Sequence, residues 1–387
     1  MTNIIFAPAT AQGISALSII RVSGKGAGEI LKNLTRKKLP EKRRLSLRTF
    51  YKNNEDDFTI DKCMVCWMPG PKSYTGEDCV EIYCHGSKAV ITAFLECLGK
   101  FKNTRLAEGG EFTKRALMNG KLNLIEAEAI NDLILSETEE QRKLALSQLR
   151  GTLKAPVTKW KKILLACMAQ IETQIDFSDE GDVPDNLEIN KEIDKLKKWI
   201  EKALKNSNNF QLIKEGTKIV LIGNPNVGKS SIFNKIINRE RAIVANIPGT
   251  TRDILDASLN LKGFPVIIYD TAGLNNAKNP IEKEGIKRAK KLAGDADIIL
   301  RVLDAKNLKQ QNLMMARKPN EWIVVNKIDL TPLEKTITNK NINLFKISAL
   351  NGEGLDALLN AIFNFILHKT TKIRETNEIV ANIRQKR

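Results

Sequence analysis

Histidine is almost absent from this chain: its 387 residues include only His85 and His368. A His-built metal centre or a Ser-His-Asp triad is therefore not the expected basis of its chemistry. Long apolar runs are also missing. The uncharged N-terminal stretch through Ile20 is broken by Pro8, Gln12 and Gly13, and no basic segment precedes it. This excludes a membrane-spanning helix there and argues against a secretory signal, so the expected location is cytoplasmic, with no membrane contact. Acidic residues are in deficit, 45 Asp and Glu against 62 Lys and Arg, giving a formal net charge of +17. Clusters such as Arg36–Arg44 and Arg384–Arg387 would attract polyanions, although a solvated basic surface is the simpler use of such charge.

Cysteine is sparse, with six residues, and only Cys63-x-x-Cys66 has a suggestive spacing. The segment Lys62–Met68 reads as a strand, which points positions 63 and 66 to opposite faces. No second C-x-x-C follows at zinc spacing, so buried, reduced thiols are expected. With 42% apolar residues there is ample material for cores, and a prior of about 150 residues per domain gives two or three domains.

Residues 1–118 mix short strands with turns, among them Ala16–Val22 and Cys79–Cys84. Helical periodicity then takes over. Val157, Trp160, Ile163, Leu164, Ile171 and Ile175 form one expected apolar face, and Ile193, Leu196, Ile200 and Leu204 another. The acidic segment Asp176–Asp185 between them reads as a solvated interhelical loop. From Lys218 the pattern alternates strand and helix in the manner of a parallel sheet, with strands at Lys218–Ile222, Val266–Tyr269, Ile298–Leu303, Trp322–Val325 and Leu344–Ile347. A helix over Leu355–Leu367 closes that region, and the residues to Arg387 read as the start of a further charged helix.

The segment Gly223-Asn-Pro-Asn-Val-Gly-Lys229-Ser230 matches G-x-x-x-x-G-K-[ST] between an expected strand and an expected helix. Its glycines let successive N–H groups turn toward phosphate oxygens at a helix head. Asn226, Val227, Gly228, Lys229, Ser230 and Ser231 are the expected phosphate-contacting residues. Lys229 would reach the β- and γ-phosphates, and the Ser230 hydroxyl would face Mg²⁺. The base is read from Asn326-Lys327-Ile328-Asp329, because a carboxylate at Asp329 can accept both the N1–H and N2–H donors of guanine. Ser348 and Ala349 follow the next strand, where backbone N–H groups would meet the guanine carbonyl. Asp270-Thr271-Ala272-Gly273 supplies a carboxylate for a Mg²⁺-bound water and a backbone N–H for the γ-phosphate. Thr250-Thr251 lies where a switch threonine must reach Mg²⁺. Four such motifs in order specify a GTPase.

Leu274 occupies the position of the water-orienting glutamine of Ras-type enzymes, so transition-state charge must be met otherwise. Asn226 is a residue type that can offer a neutral oxygen to K⁺ beside the phosphates.

Beyond these motifs the chain closely resembles the MnmE (TrmE) family of tRNA-modifying GTPases over nearly its whole length. The resemblance rests on Ala7–Thr10 with Ile20–Gly24, Gly70–Asp78 with His85-Gly86, Gly110–Arg115, and Asn119–Ile130. It implies a multi-domain α+β and α/β architecture: an N-terminal α+β folate-binding and dimerisation domain over 1–118, a helical domain over 119–214 with 369–387, and an inserted Ras-like P-loop GTPase domain over 215–368. It further implies a homodimer, forming a heterotetramer with the FAD-dependent partner MnmG (GidA). Together they add an aminomethyl or carboxymethylaminomethyl group at C5 of the tRNA wobble uridine. By the same resemblance Arg21, Glu81 and Lys121 hold a 5-formyl or methylene tetrahydrofolate. Asn226, with oxygens of Ala245, Ile247 and Thr250, holds K⁺ inside the loop Ala245-Asn246-Ile247-Pro248-Gly249-Thr250. Thr251 with Ser230 holds Mg²⁺, and Glu282 orients the attacking water through a second water.

The sequence departs from the family pattern at Gly109, where proline is usual, and it ends at Arg387 without the family's Cys-containing Phe-Cys-Ile-Gly-Lys tail. From that ending a truncated, modification-dead GTP-binding scaffold is a possible alternative. A GTP-dependent RNA or ribosome-assembly factor of the Era/Der kind is the other, and it leaves residues 1–118 without a role.

Overall fold

The computed structural model describes residues 3–52, 58–152, 154–176, 186–240, 242–243, 255–270, 294–308, 319–331 and 343–374. The chain divides into two compact units, Met1–Glu128 and Ala129–Arg387. Among the described residues no helix is long and apolar enough to cross a membrane.

The first unit is built on β1 (Ile4–Pro8), β2 (Ser15–Ser23), α1 (Ala27–Thr35), β3 (Leu45–Tyr51), β4 (Thr59–Met68), β5 (Cys79–Gly86), α2 (Lys88–Gly99), β6 (Thr104–Leu106) and α3 (Glu111–Met118). Its sheet runs β3-β4-β5-β2-β1-β6, antiparallel except for the β1–β6 pair. Alternation along β4 sends Cys63, Val65 and Trp67 inward, where they pack with Ile20, Val22, Val80 and Ile82 beneath α1 and α2. The Ser87 hydroxyl accepts the Val90 N–H and starts α2. Cys63 is buried as expected while Cys66 is only half-buried, on the other face of the strand. All six cysteines are free. Burial raises the Cys79 thiol to about 12 and that of Cys84 to about 11, so both stay protonated.

Glu111 opens α3 and ties it down. Its carboxylate accepts from Arg105 Nη2 at 2.6 Å and Nη1 at 2.8 Å, from the Glu108 N–H at 2.9 Å, and from Arg115 Nη2 at 3.2 Å. The Arg105 hydrogen bonds lead in holding this carboxyl at about 2, below its ordinary 4.5. A depressed carboxylate stabilises the folded state above the unfolded-state value and loses that contribution as pH falls through the folded one. Glu111→Gln is therefore expected to cost about 1–3 kcal/mol at neutral pH. In urea titrations the gap to wild type should narrow between 4.5 and about 2; a gap independent of pH over that interval would show that the charge is not its source.

Helix α4 (Leu124–Ile134) crosses the division between the units. The second unit continues with α5 (Glu139–Leu149), α6 (Lys154–Asp176) and α7 (Asn186–Lys214). Gln141 Oε1 accepts the Thr138 N–H at 3.0 Å in a capping box at the head of α5, and Gln141 Nε2 donates to the Lys214 carbonyl at 3.0 Å, joining α5 to the end of α7. The expected apolar face of α6 is only partly the buried one. Cys167 is buried and Trp160 and Ile163 are half-buried, whereas Val157, Leu164, Ile171 and Ile175 are exposed. The reason is that apolar residues cover more than one stripe of α6, and periodicity does not say which stripe faces α7. On α7 the same holds: Leu196 is buried and Ile200 half-buried, while Ile193 and Leu204 are 40% and 38% exposed. The acidic loop residues 177–185 lie outside the described residues.

The nucleotide-motif region folds as β7 (Thr217–Ile222), α8 (Lys229–Arg239), β8 (Ala242–Ile243), β9 (Leu255–Leu261), β10 (Phe264–Asp270), β11 (Ile298–Asp304), β12 (Glu321–Asn326), β13 (Leu344–Lys346) and α9 (Leu355–Arg374). The sheet order is β13-β12-β11-β7-β10-β9-β8. Strands β13, β12, β11, β7 and β10 are parallel, and β9 and β8 extend the edge antiparallel. Near-continuous apolar runs such as Ile219-Val220-Leu221 suit strands buried on both faces. Ile232, Phe233 and Ile236 of α8, and Leu358, Ile362 and Ile366 of α9, join Leu221, Ile268, Leu300 and Val324 in the core. Because β10 and β11 flank β7 on opposite sides, the carboxyl end of β7 is a topological switch point, where open α/β sheets take their ligands.

Candidate functional site

At that switch point the chain leaves β7 through Gly223 and enters α8 at Lys229. Two glycines are required by geometry. A Cβ on Gly223 would stand 2.4 Å from the Val302 carbonyl oxygen, and one on Gly228 would stand 2.2 Å from Asn326 Nδ2. Gly228 also has φ +97°, a left-handed conformation that glycine adopts freely. The missing side chains let the loop lie flat against β11 and β12.

Asn326 joins three of the expected segments. Buried at the end of β12, it donates from Nδ2 to the Val227 carbonyl at 3.0 Å and accepts the Ala349 N–H on Oδ1 at 3.0 Å. Lys327 donates from Nζ to the Asn226 carbonyl at 2.8 Å and to Asp304 Oδ2 at 2.7 Å. That second bond leads in holding the Asp304 carboxyl below the usual carboxylate range. Ser348 Oγ donates to Asp329 Oδ1 at 2.6 Å, which orients the exposed carboxylate and leaves lone pairs on both of its oxygens. The structure thus gathers Asn226, Val227, Gly228, Asn326, Lys327, Asp329, Ser348 and Ala349 at one edge of the sheet.

Lys229 is buried, and its ammonium donates to the Gly223 carbonyl at 3.0 Å and the Asn224 carbonyl at 2.9 Å. Burial lowers its pKa, and the Asp270 carboxylate, buried at the end of β10, works against that shift. Ser230 and Ser231 are exposed on the first turn of α8, where the helix dipole and free N–H groups favour an anion. An exposed hydroxyl at Ser230 and a buried carboxylate at Asp270 form a donor set that suits Mg²⁺, a hard cation taking oxygen ligands. Ala245, Asn246, Ile247, Pro248, Gly249, Thr250, Thr251, Thr271, Ala272, Gly273 and Glu282 lie outside the described residues, as does Leu274.

The expected folate residues lie in the first unit. Arg21 on β2 and Glu81 on β5 face each other in register. Arg21 Nε and Nη2 both donate to Glu81 Oε1, at 2.9 and 2.7 Å, and Tyr83 Oη donates to Oε2 at 2.9 Å. Burial, then that hydrogen bond, raise the Tyr83 phenol to about 12. The Arg21 guanidinium sits 4.9 Å from the Tyr74 ring centre and 5.5 Å from that of Phe112. Lys121 is not in this pair. Its stem lies along Gly76, two residues beyond Tyr74, so one loop connects the positions. A charged pair against two rings fits a ligand combining a flat heterocycle with carboxylates.

Sequence reasoning did not single out Asp304, Tyr74 or Phe112 for roles. Asp304 had a usable signal, an acid at the carboxyl end of a parallel strand. The two aromatics had none, because only the fold brings them to Arg21.

The family model for the GTP-binding protein TrmE N-terminus matches residues 4–121, and the model for the MnmE helical domain matches residues 124–387. The tRNA modification GTPase MnmE of Pelagibacter ubique is 43% identical over 342 residues, 88% of this chain and 75% of its own length. That of Maricaulis maris is 40% identical over 378 residues, 97% and 84% respectively. The human mitochondrial 5-taurinomethyluridine-[tRNA] synthase subunit GTPB3 is 38% identical over 377 residues, 92% of this chain and 76% of its own. Among solved structures, the G domain of the T. maritima FeoB iron transporter is 28% identical across 40% of this chain and 98% of its own, at a TM-score of 0.29. The two family models together, and each of these relatives, cover the first unit as well as the nucleotide motifs, which a bare ribosome-assembly GTPase does not explain: the chain belongs to the MnmE family of tRNA modification GTPases.

Proposed function

We propose that the chain is a K⁺-assisted GTPase whose cycle, together with MnmG, serves the addition of an aminomethyl or carboxymethylaminomethyl group at C5 of the tRNA wobble uridine. The observation that carries the nucleotide part is the Asn326 bridge between Val227 in the phosphate loop and Ala349 beside Asp329. It sets phosphate and base recognition in one register. In this reading Lys229 holds the β- and γ-phosphates, and Asp329 with Ser348 and Ala349 reads guanine. Mg²⁺, held by Ser230 and Thr251 with Asp270 on its water shell, neutralises phosphate charge. Asn226 and oxygens of Ala245, Ile247 and Thr250 hold K⁺ in place of a Ras-type glutamine, and Glu282 aligns the attacking water.

Arg21, Glu81 and Lys121 hold a tetrahydrofolate, which supplies a one-carbon unit when bound. The same reading divides the chain into a folate domain over 1–118, helices over 119–214 and 369–387, and a G domain over 215–368. It places the protein in the cytoplasm as a homodimer that forms a heterotetramer with MnmG. The tRNA substrate is supported by the names of its relatives, tRNA modification GTPases and a tRNA synthase subunit for a modified uridine. The test is nucleoside analysis of unmodified tRNA incubated with the full chain, MnmG, GTP, Mg²⁺, K⁺, a reduced folate as one-carbon source and ammonium or glycine as amine donor. The expected product is a C5-modified wobble uridine that requires GTP; unmodified uridine despite GTP turnover would leave a GTPase without the proposed chemistry.

A further inference from the structure

Side chains from the ends of β11 and β12 hold the phosphate loop peptide by peptide. Asn326 Nδ2 donates to the Val227 carbonyl at 3.0 Å, and Lys327 Nζ donates to the Asn226 carbonyl at 2.8 Å. The peptides here are trans, and a trans, planar peptide points its C=O and N–H in opposite directions. The bond that fixes the Asn226 carbonyl therefore also aims the Val227 N–H, and the bond to the Val227 carbonyl aims the Gly228 N–H. Both are N–H groups of the kind a phosphate loop turns toward its ligand. Asp304, the last residue of β11, stands one bond behind Lys327, and the function proposed above gives it no part.

Lys327 is the weak link in this relay. Its side chain is 33% exposed, so water competes for the ammonium, and its flexible stem loses rotamer freedom when held. Asn226 and Lys327 also both stand at positive φ, +62° and +67°, a left-handed conformation that is unfavourable for residues other than glycine. Asp304 supplies a second anchor. Its Oδ2 accepts from Lys327 Nζ at 2.7 Å, and its Oδ1 accepts the Lys306 N–H at 3.0 Å, which caps the short 3-10 turn Ala305–Asn307. With both oxygens engaged and only 15% of its side chain exposed, this carboxylate is a fixed point. An ordinary surface ion pair would contribute little. This one differs because the same ammonium ends on a carbonyl of the phosphate loop.

We infer that Asp304 is a positioning residue for GTP: by anchoring Lys327 it fixes the Asn226–Val227 peptide and so presets the Val227 N–H for a phosphate oxygen. The inference rests on the assignment of this loop to the phosphates and adds a residue outside the nucleotide motifs. The sign of the effect separates geometry from charge. A carboxylate near the site opposes an anionic ligand, so Asp304 can favour the nucleotide only through the geometry it imposes on Lys327.

The test is a double-mutant cycle on the full chain with wild type, Asp304→Asn, Lys327→Met and the double variant, measuring affinity and dissociation of fluorescent mant-GDP in Mg²⁺. Asparagine keeps the size and the oxygen that caps the turn, and melting temperatures without nucleotide check that the fold is kept. Asp304→Asn is expected to bind mant-GDP about ten-fold more weakly, mainly through faster dissociation, the scale of one charge-assisted bond. In the Lys327→Met background the same change should have an effect below about two-fold, because the relay is already cut. Unchanged or tighter binding by Asp304→Asn would show that only its charge is felt, and would overturn the inference while leaving the loop's assignment intact. Equal losses in the two backgrounds, the mark of a general weakening of the fold, would overturn it as well. A wild-type chain that binds no mant-GDP would overturn the loop's assignment and the inference with it.

Discussion

Lys229→Ala is expected to lower kcat/KM for GTP by about 10²- to 10³-fold, the scale lost when one pre-placed cationic donor to a phosphoryl group is removed. The side chain waits in position. Its ammonium is desolvated and held by the Gly223 and Asn224 carbonyls, with the Asp270 carboxylate keeping it charged against the pull of burial. An incoming phosphate would replace two carbonyl contacts by charge-assisted ones, so binding need not reorganise the loop. Removing the ammonium removes charge stabilisation that grows as the bond to the γ-phosphate breaks, so the loss should appear in kcat as well as KM. Phosphate-release assays with variant and wild type, at equal melting temperature, measure it. A change of less than about three-fold would exclude Lys229 from the phosphoryl site.

Asp329→Asn should change which nucleotide is used. The carboxylate is held by Ser348 Oγ at 2.6 Å, so its orientation is set before the base arrives. A site built to accept two donors rejects a base that lacks them by on the order of 10⁴, because its acceptor stays unpaired. An amide presents one donor and one acceptor at the same place, which mismatches guanine and matches xanthine. Competition titrations of GTP against XTP should show preference moving from GTP to XTP by a comparable factor. Retained GTP preference in Asp329→Asn would mean that the base is read elsewhere.

The nucleotide edge was legible because its residues are clustered in sequence and ordered by strand ends. Gly223–Ser230 and Asn326–Asp329 each carry their own geometry, and the parallel sheet brings them together at a switch point that strand order alone implies. The Arg21 site was legible only through family resemblance. Its parts come from two strands and a loop, and the rings of Tyr74 and Phe112 reach the guanidinium through folding rather than spacing. The helices were legible as helices but not in their orientation. α6 carries more apolar residues than its covered stripe can hold, so periodicity groups the exposed Val157 and Leu164 with Trp160, whereas the stripe through Trp160, Ile163 and Cys167 is the one that is covered. Asp304 was overlooked because a single acid after a strand is common; only its bond to Lys327 at 2.7 Å gives it a place in the loop's support.

A monovalent cation proposed to stand in for the glutamine replaced by Leu274 makes GTP turnover by the full chain with Mg²⁺, compared in KCl and in NaCl at matched ionic strength, the deciding measurement. Turnover is expected to be about ten-fold or more faster in K⁺, as befits an added charge at the phosphates, with that advantage lost in Asn226→Ala. Equal turnover in the two salts would contradict it.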